Sequence, residues 1–132
     1  MVIVFFNHIW NVLDTYSDVR KLVSDTFPDI EDSRLIPYIG IRIDYSDDIF
    51  WNYAGDNIEI ENITNFHPNI APHIKSFIDA HDECNIHWNA KDSVLNIAQI
   101  FALRSRYEMY AYAVLEILQT LYPNHIIVLE PL

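Results

Sequence analysis

The residues best equipped for chemistry gather at His81-Asp82-Glu83-Cys84 and His87, with His67 and His73 upstream. A zinc ion would need four such ligands, or three and a water, converging on a tetrahedron. A step of three along a helix sets His81 beside Cys84, but His87 falls past the expected helix end. No second cysteine and no His-Glu-x-x-His pair completes the set. Ordinary polar groups capping a helix end account for the run equally well. Cys84 with His81 or His87 also has the makings of a thiolate pair, although a lone cysteine more often packs as a small apolar side chain. Asp44-x-Ser46-x-Asp48 opens like a calcium loop, yet Ile49 replaces the sharp-turn glycine and no bidentate Glu closes it. Glu59 and Glu61 could do acid–base work only if one were desolvated. Two glycines can scarcely build a phosphate loop. The sequence therefore predicts no enzyme, no metal and no cofactor.

What remains is charge. Nineteen Asp and Glu stand against eight Lys and Arg, a formal net charge of -11. Between Asp14 and Glu61 twelve carboxylates meet only Arg20, Lys21, Arg34 and Arg42, so eight of those eleven negative charges lie there. If Ile41, Ile43, Ile58 and Ile60 turn to a core on successive strands, then Arg42, Asp44, Glu59 and Glu61 turn to water together. Asp47, Asp48 and Asp56 decorate the turns, and Tyr45, Trp51 and Tyr53 stand beside them. Rings supply rigid contact area, and carboxylates supply steering and pairing with Arg or Lys. The candidate partner-binding residues are Asp44, Asp47, Asp48, Trp51, Tyr53, Asp56, Glu59 and Glu61. The competing reading is a hydrated sheet face with its aromatics turned inward, and both parities of the strand bearing Trp51 carry an aromatic.

The scaffold expected for these residues is α+β. Apolar residues at helical spacing run from Asp92 to Tyr122, widening until most of the circumference is greasy, which predicts a long buried helix. Arg104-Ser105-Arg106 interrupts the stripe and marks a bend or a break into a helix pair. Leu35–Tyr45 alternates with period two, a half-buried strand. Ile49–Ala54 and Ile58–Ile63 follow across short turns, completing an antiparallel three-stranded meander over about 35–63. Val2–Phe6 fits a buried strand, yet Phe5, Ile9 and Val12 or Leu13 also keep a helical step. The reading adopted is a short leading strand, then a helix from Asn7 to Phe27 with a break near Thr15–Ser17, where Ser17 and Asp18 would cap a second segment. Pro28–Arg34 is a polar connector. A further helix spans Asn69–Asp82 with Pro72 in its first turn, and Asn85–Trp88 forms a brief strand. Asn89 with Asp92 resembles a capping box. His125–Leu129 is a last strand of the kind that enters a sheet interior.

One domain is the natural count for 132 residues. Three Trp, eight Tyr and seven Phe argue against disorder. The negative charge would repel a phosphate backbone, so nucleic acid and anionic membranes are poor partners, and a basic protein is a good one. Acidity for solubility alone is the bland alternative. Cys84 is the sole cysteine, which excludes an intrachain disulfide and fits a reducing compartment. The N-terminal MVIVFFNHIWNVL has no positive flank and is shorter than the roughly 18 residues of a membrane span. A cytoplasmic protein is expected.

In size, acidity, aromatic content and lack of an export signal, the chain resembles bacterial immunity proteins, such as those paired with contact-dependent inhibition toxins or colicin-type nucleases. The resemblance is one of overall profile and carries no residue across. It implies a small inhibitor that occludes the cationic active site of a basic toxin or nuclease and protects the producing cell. Two other classes fit the same residues. One is a small-ligand binder or enzyme with an aromatic-lined pocket near His81, Cys84 and His87. The other is a homo-oligomeric subunit whose long helix packs against a copy of itself.

Overall fold

The computed structural model describes residues 2–4, 12–43, 48–89 and 97–129. Asp44, Tyr45, Ser46, Asp47 and Asp92, and the expected helix start at Asn7, lie outside them. The fold is α+β, and the chain divides into two compact units. The first is Met1–Ile60 with Leu121–Leu132; the second is Glu61–Thr120.

In the first unit, five strands among the described residues form one sheet in the order β1-β5-β2-β3-β4. They are β1 (Val2–Val4), β2 (Tyr38–Ile41), β3 (Phe50–Trp51), β4 (Asn57–Ile58) and β5 (Ile126–Leu129). β5 lies parallel to both neighbours, with Ile127 opposite Val2 on one side and Val128 opposite Gly40 on the other. All four of its residues are buried, as the unbroken apolar run of a sheet interior requires. Pro37 C=O accepts from Ile126 N–H at 3.0 Å, extending the β2–β5 ladder by one bond.

Helix α1 (Val12–Thr26) supplies the cover. Val19 and Val23, one turn apart, pack with Ile36, Tyr38, Ile126 and Val128, while Leu22, Phe27, Ile30 and Tyr53 close the edges. The expected break at Thr15–Ser17 is absent. Ser17 and Asp18 are exposed on the helix's outer face, so neither side chain is drawn into a cap. The last turn closes with Thr26 Oγ1 donating to Leu22 C=O at 2.7 Å, and Pro28 stops it.

The meander is present only in part. β2, β3 and β4 are consecutive and antiparallel, but two are only two residues long. They also form one flank of a mixed sheet, not a separate ribbon. β2, between β5 and β3, is buried on both faces and is not half-exposed: Tyr38 packs with Val19 and Val23 of α1, and Ile39 and Ile41, of the other parity, are buried too. The third expected strand ends at Ile58, and Ile60–Phe66 is instead helix α2. Ile58, Ile60 and Ile63 satisfy period two at their start and helical spacing at their end, and only Ile63 is deeply buried.

In the second unit, a 3₁₀ turn (Pro68–Ile70) leads into α3 (Ala71–Asn89), with Pro72 tolerated in the first turn. Asn85–Trp88, expected as a strand, continues this helix, since neither Gly nor Pro interrupts the run. Helix α4 (Ile97–Leu121) is unbroken through Arg104-Ser105-Arg106. Arg104 Nε approaches Glu108 at 3.6 Å along the same helix, and Arg106 Nη1 reaches Glu83 of α3 at 2.9 Å. Both arginines thus find partners without bending the backbone. Phe77 and Tyr107 stack with centroids 5.3 Å apart. The expectation of a helix buried nearly all round is not met: Tyr107, Ala111, Val114, Leu115 and Leu118 are buried on one face of the C-terminal half, while Met109, Tyr112 and Glu116 there are exposed. From Ala98 to Ala102 every residue is exposed.

Candidate functional site

The acidic candidates that the structure describes lie along the β3–β4 edge of the first unit, with Glu61 in the second. The β3–β4 turn is held by its own backbone. Asn52 N–H donates to Asp56 C=O at 2.9 Å, and Asn52 Oδ1 accepts from Asp56 N–H at 2.9 Å. Gly55 sits at φ +87°, a conformation side chains disfavour, so the turn needs glycine there. The result is a rigid mount that leaves the Asp56 side chain exposed.

Asp56 has neighbours that the sequence did not announce. In the preceding 3₁₀ turn (Ser33–Leu35), Asp32 caps the backbone N–H of Arg34 at 3.0 Å. The same carboxylate takes a two-pronged grip from the guanidinium, at 3.1 and 3.0 Å. The Arg34 hydrogen bonds hold the Asp32 carboxyl below its usual range. Arg34 is held above its own usual value chiefly by its hydrogen bond to Asp32, and the charge of Asp56 adds to that. The charge of Arg34 is thus answered first by Asp32, with Asp56 a lesser contributor. The bond from the Arg34 backbone N–H to Asp32 makes an Asx-turn, which any residue at position 34 but proline could close, within the stretch that reads as a polar connector.

The aromatic candidates are not free-standing. Tyr53 is half-buried, packs on the α1 core and meets the Tyr38 ring edge-on at 5.3 Å. Trp51 is half-buried, donates its indole N–H to Arg42 C=O at 2.9 Å, and carries the Arg42 guanidinium 4.7 Å above its ring. Its neighbour Phe50 takes the opposite parity and is completely buried. Asp48 is half-buried just ahead of Ile49 and Phe50.

Glu59 and Glu61 do not share a strand face. Glu59 is exposed in the link after β4 and accepts from Asn57 Nδ2 at 3.2 Å. Glu61 is exposed in the first turn of α2, where a carboxylate favours the helix N-terminus. Asp48, Trp51, Tyr53, Asp56 and Glu59 belong to the first unit and Glu61 to the second.

Of the histidine run, the side chains of Cys84 and His87 lie outside the described residues. His81 is largely buried on α3, pairs through Nδ1 with the adjacent Asp82 at 3.3 Å and leans on Tyr107 at 6.0 Å. Among the described residues no three His, Cys, Asp or Glu converge as a cation would require. Among them, too, no helix is long and apolar enough to cross a membrane.

Comparison with protein-family models, with curated proteins and with solved structures gave no match.

Proposed function

We propose that the chain is a small acidic protein-binding inhibitor, similar in role to bacterial immunity proteins, that docks on a basic toxin or nuclease and occludes its cationic active site. The observation that carries this reading is the exposed carboxylate of Asp56 and Glu59, on either side of the edge strand β4. Residues 1–60 and 121–132 hold twelve Asp and Glu against four Lys and Arg, a balance of -8. Two of those cations are engaged locally, Arg34 on Asp32 and Arg42 over Trp51. A negative edge of this kind attracts a cationic cleft over several ångströms and penalises acidic competitors. Trp51, clamped between a hydrogen bond and a guanidinium, presents a preorganised ring at the same edge, which lowers the entropy lost on docking. Asp44 and Asp47 precede Asp48 in the chain and add two further carboxylates to the sequence there.

The test is capture of partners from extract at low and at high salt, comparing the native chain with Asp48→Lys/Asp56→Lys/Glu59→Lys. A basic protein retained only by the native chain at low salt supports the reading. Complexes that survive all three reversals undiminished end it.

A further inference from the structure

From Phe101 to Tyr112, α4 carries an apolar stripe that the inhibitor reading does not use. Phe101, Met109 and Tyr112 are 71%, 58% and 44% exposed. With Ser105 they follow one another at steps of four, four and three residues, so they share one helix face. That face is opposite to Tyr107, Ala111, Val114 and Leu118, which are buried. Among the described residues, the helix is thus apolar on two sides, one buried and one exposed.

Charge says which occupant fits. The chain as a whole is strongly acidic, but α4 itself holds Arg104 and Arg106 against Glu108 and Glu116, a balance of zero. It is therefore a segment where two copies of this molecule can meet with little mutual repulsion. The order of charges adds a direction. Suppose two α4 helices run antiparallel with Ser105 on the two-fold axis. Phe101 then lies against Met109 of the second copy, and Tyr112 against Ala98 of the second copy. The small Ser105 lets the helices approach, and Arg104 comes alongside Glu108 of the second copy on the same flank, twice by symmetry.

We infer that the outward face of α4 is a self-association surface, pairing with a second copy of this chain in an antiparallel, two-fold arrangement centred on Ser105. The stripe offers roughly 400 Å² of apolar surface per copy, so the pair buries less than the ~1,200 Å² or more of a stable specific interface. The dimer is accordingly concentration-dependent, with micromolar dissociation.

Sedimentation velocity on the full chain, from roughly one to a few hundred micromolar, tests this. A monomer–dimer equilibrium is expected, weakened roughly tenfold to a hundredfold by Phe101→Ser or Met109→Ser. Both positions are exposed, so unchanged circular dichroism will show that the fold is kept. Arg104→Glu and Glu108→Arg should each weaken the dimer alone, and mixing the two variants should restore a heterodimer. That rescue cannot come from the pairing of Arg104 and Glu108 within one helix, since each variant has lost its own. A chain that stays monomeric throughout, or a dimer indifferent to Phe101→Ser, overturns the proposal. Single reversals without effect, or a mixture that recovers nothing, overturn it too.

Discussion

His125 sits just before β5 and packs edge-on to Tyr122 at 5.1 Å, with its backbone N–H bonded to Tyr122 C=O at 3.1 Å. Burial lowers its pKa from the ordinary 6.5, so the fold prefers the neutral ring. In the unfolded chain the ring protonates first as pH falls, and the unfolded state then binds more protons than the native one. Stability from this group is whole above pH 6.5, declines below it, and levels off beneath the folded pKa. Urea midpoints measured between neutral and mildly acid pH should therefore fall for the native chain. They should fall less for His125→Gln, which cannot titrate; identical slopes would refute the assignment. Gly55 makes a second prediction at this scale. A Cβ at that position meets nothing within 4 Å, so Gly55→Ala carries backbone strain without a clash. A loss of about 1 kcal/mol by denaturant titration is expected.

Among the elements, β5 bears the greatest structural weight, being hydrogen-bonded on both sides and buried throughout. Ile127 has no exposed surface, and Ile127→Ala should cost about 2–5 kcal/mol, against about 0.5–1.5 for Ile127→Val. Thermal melts of the two variants will show whether the cost scales with the cavity. β5 was also legible in advance, because a bare apolar run after Pro123 suits a strand interior to a sheet and little else. The register of Val19 and Val23 likewise foretold a helix packed on one face. Ile58–Ile63 was misread for a physical reason: six residues carry both periods, and burial of Ile63 decides between them. The parallel pairing of β1 with β5 joins residues at opposite ends of the chain, and local pattern holds no information about it. The acidic residues were easy to find, but their grouping was not. Glu59 and Glu61 parted once the strand became a helix, while Asp32 is taken up by Arg34 in a turn that the sequence pattern did not mark.

Taken whole, the molecule divides its charge unequally. Residues 1–60 and 121–132 carry -8, and 61–120 carry seven Asp and Glu against four Lys and Arg, or -3. Exposed carboxylates beyond hydrogen-bond reach of a partner act through the long-range field, and that field governs encounter more than residence. Salt screens it over about 8–10 Å at moderate ionic strength. If a basic partner docks at the β4 edge, its association rate should fall steeply with added salt while its dissociation rate changes little. Asp56→Asn and Glu59→Gln should each lower the association rate a few-fold, additively, because neither is buried at the contact in the free protein. Trp51→Ala should act in the other direction, raising dissociation with association nearly unaltered, since a ring held by Arg42 contributes short-range contact and not field. Stopped-flow measurements across a salt series separate the two. Were the carboxylate variants to change only dissociation, the edge would be a contact surface without steering. Were no variant to change either rate, the negative charge would be hydration alone.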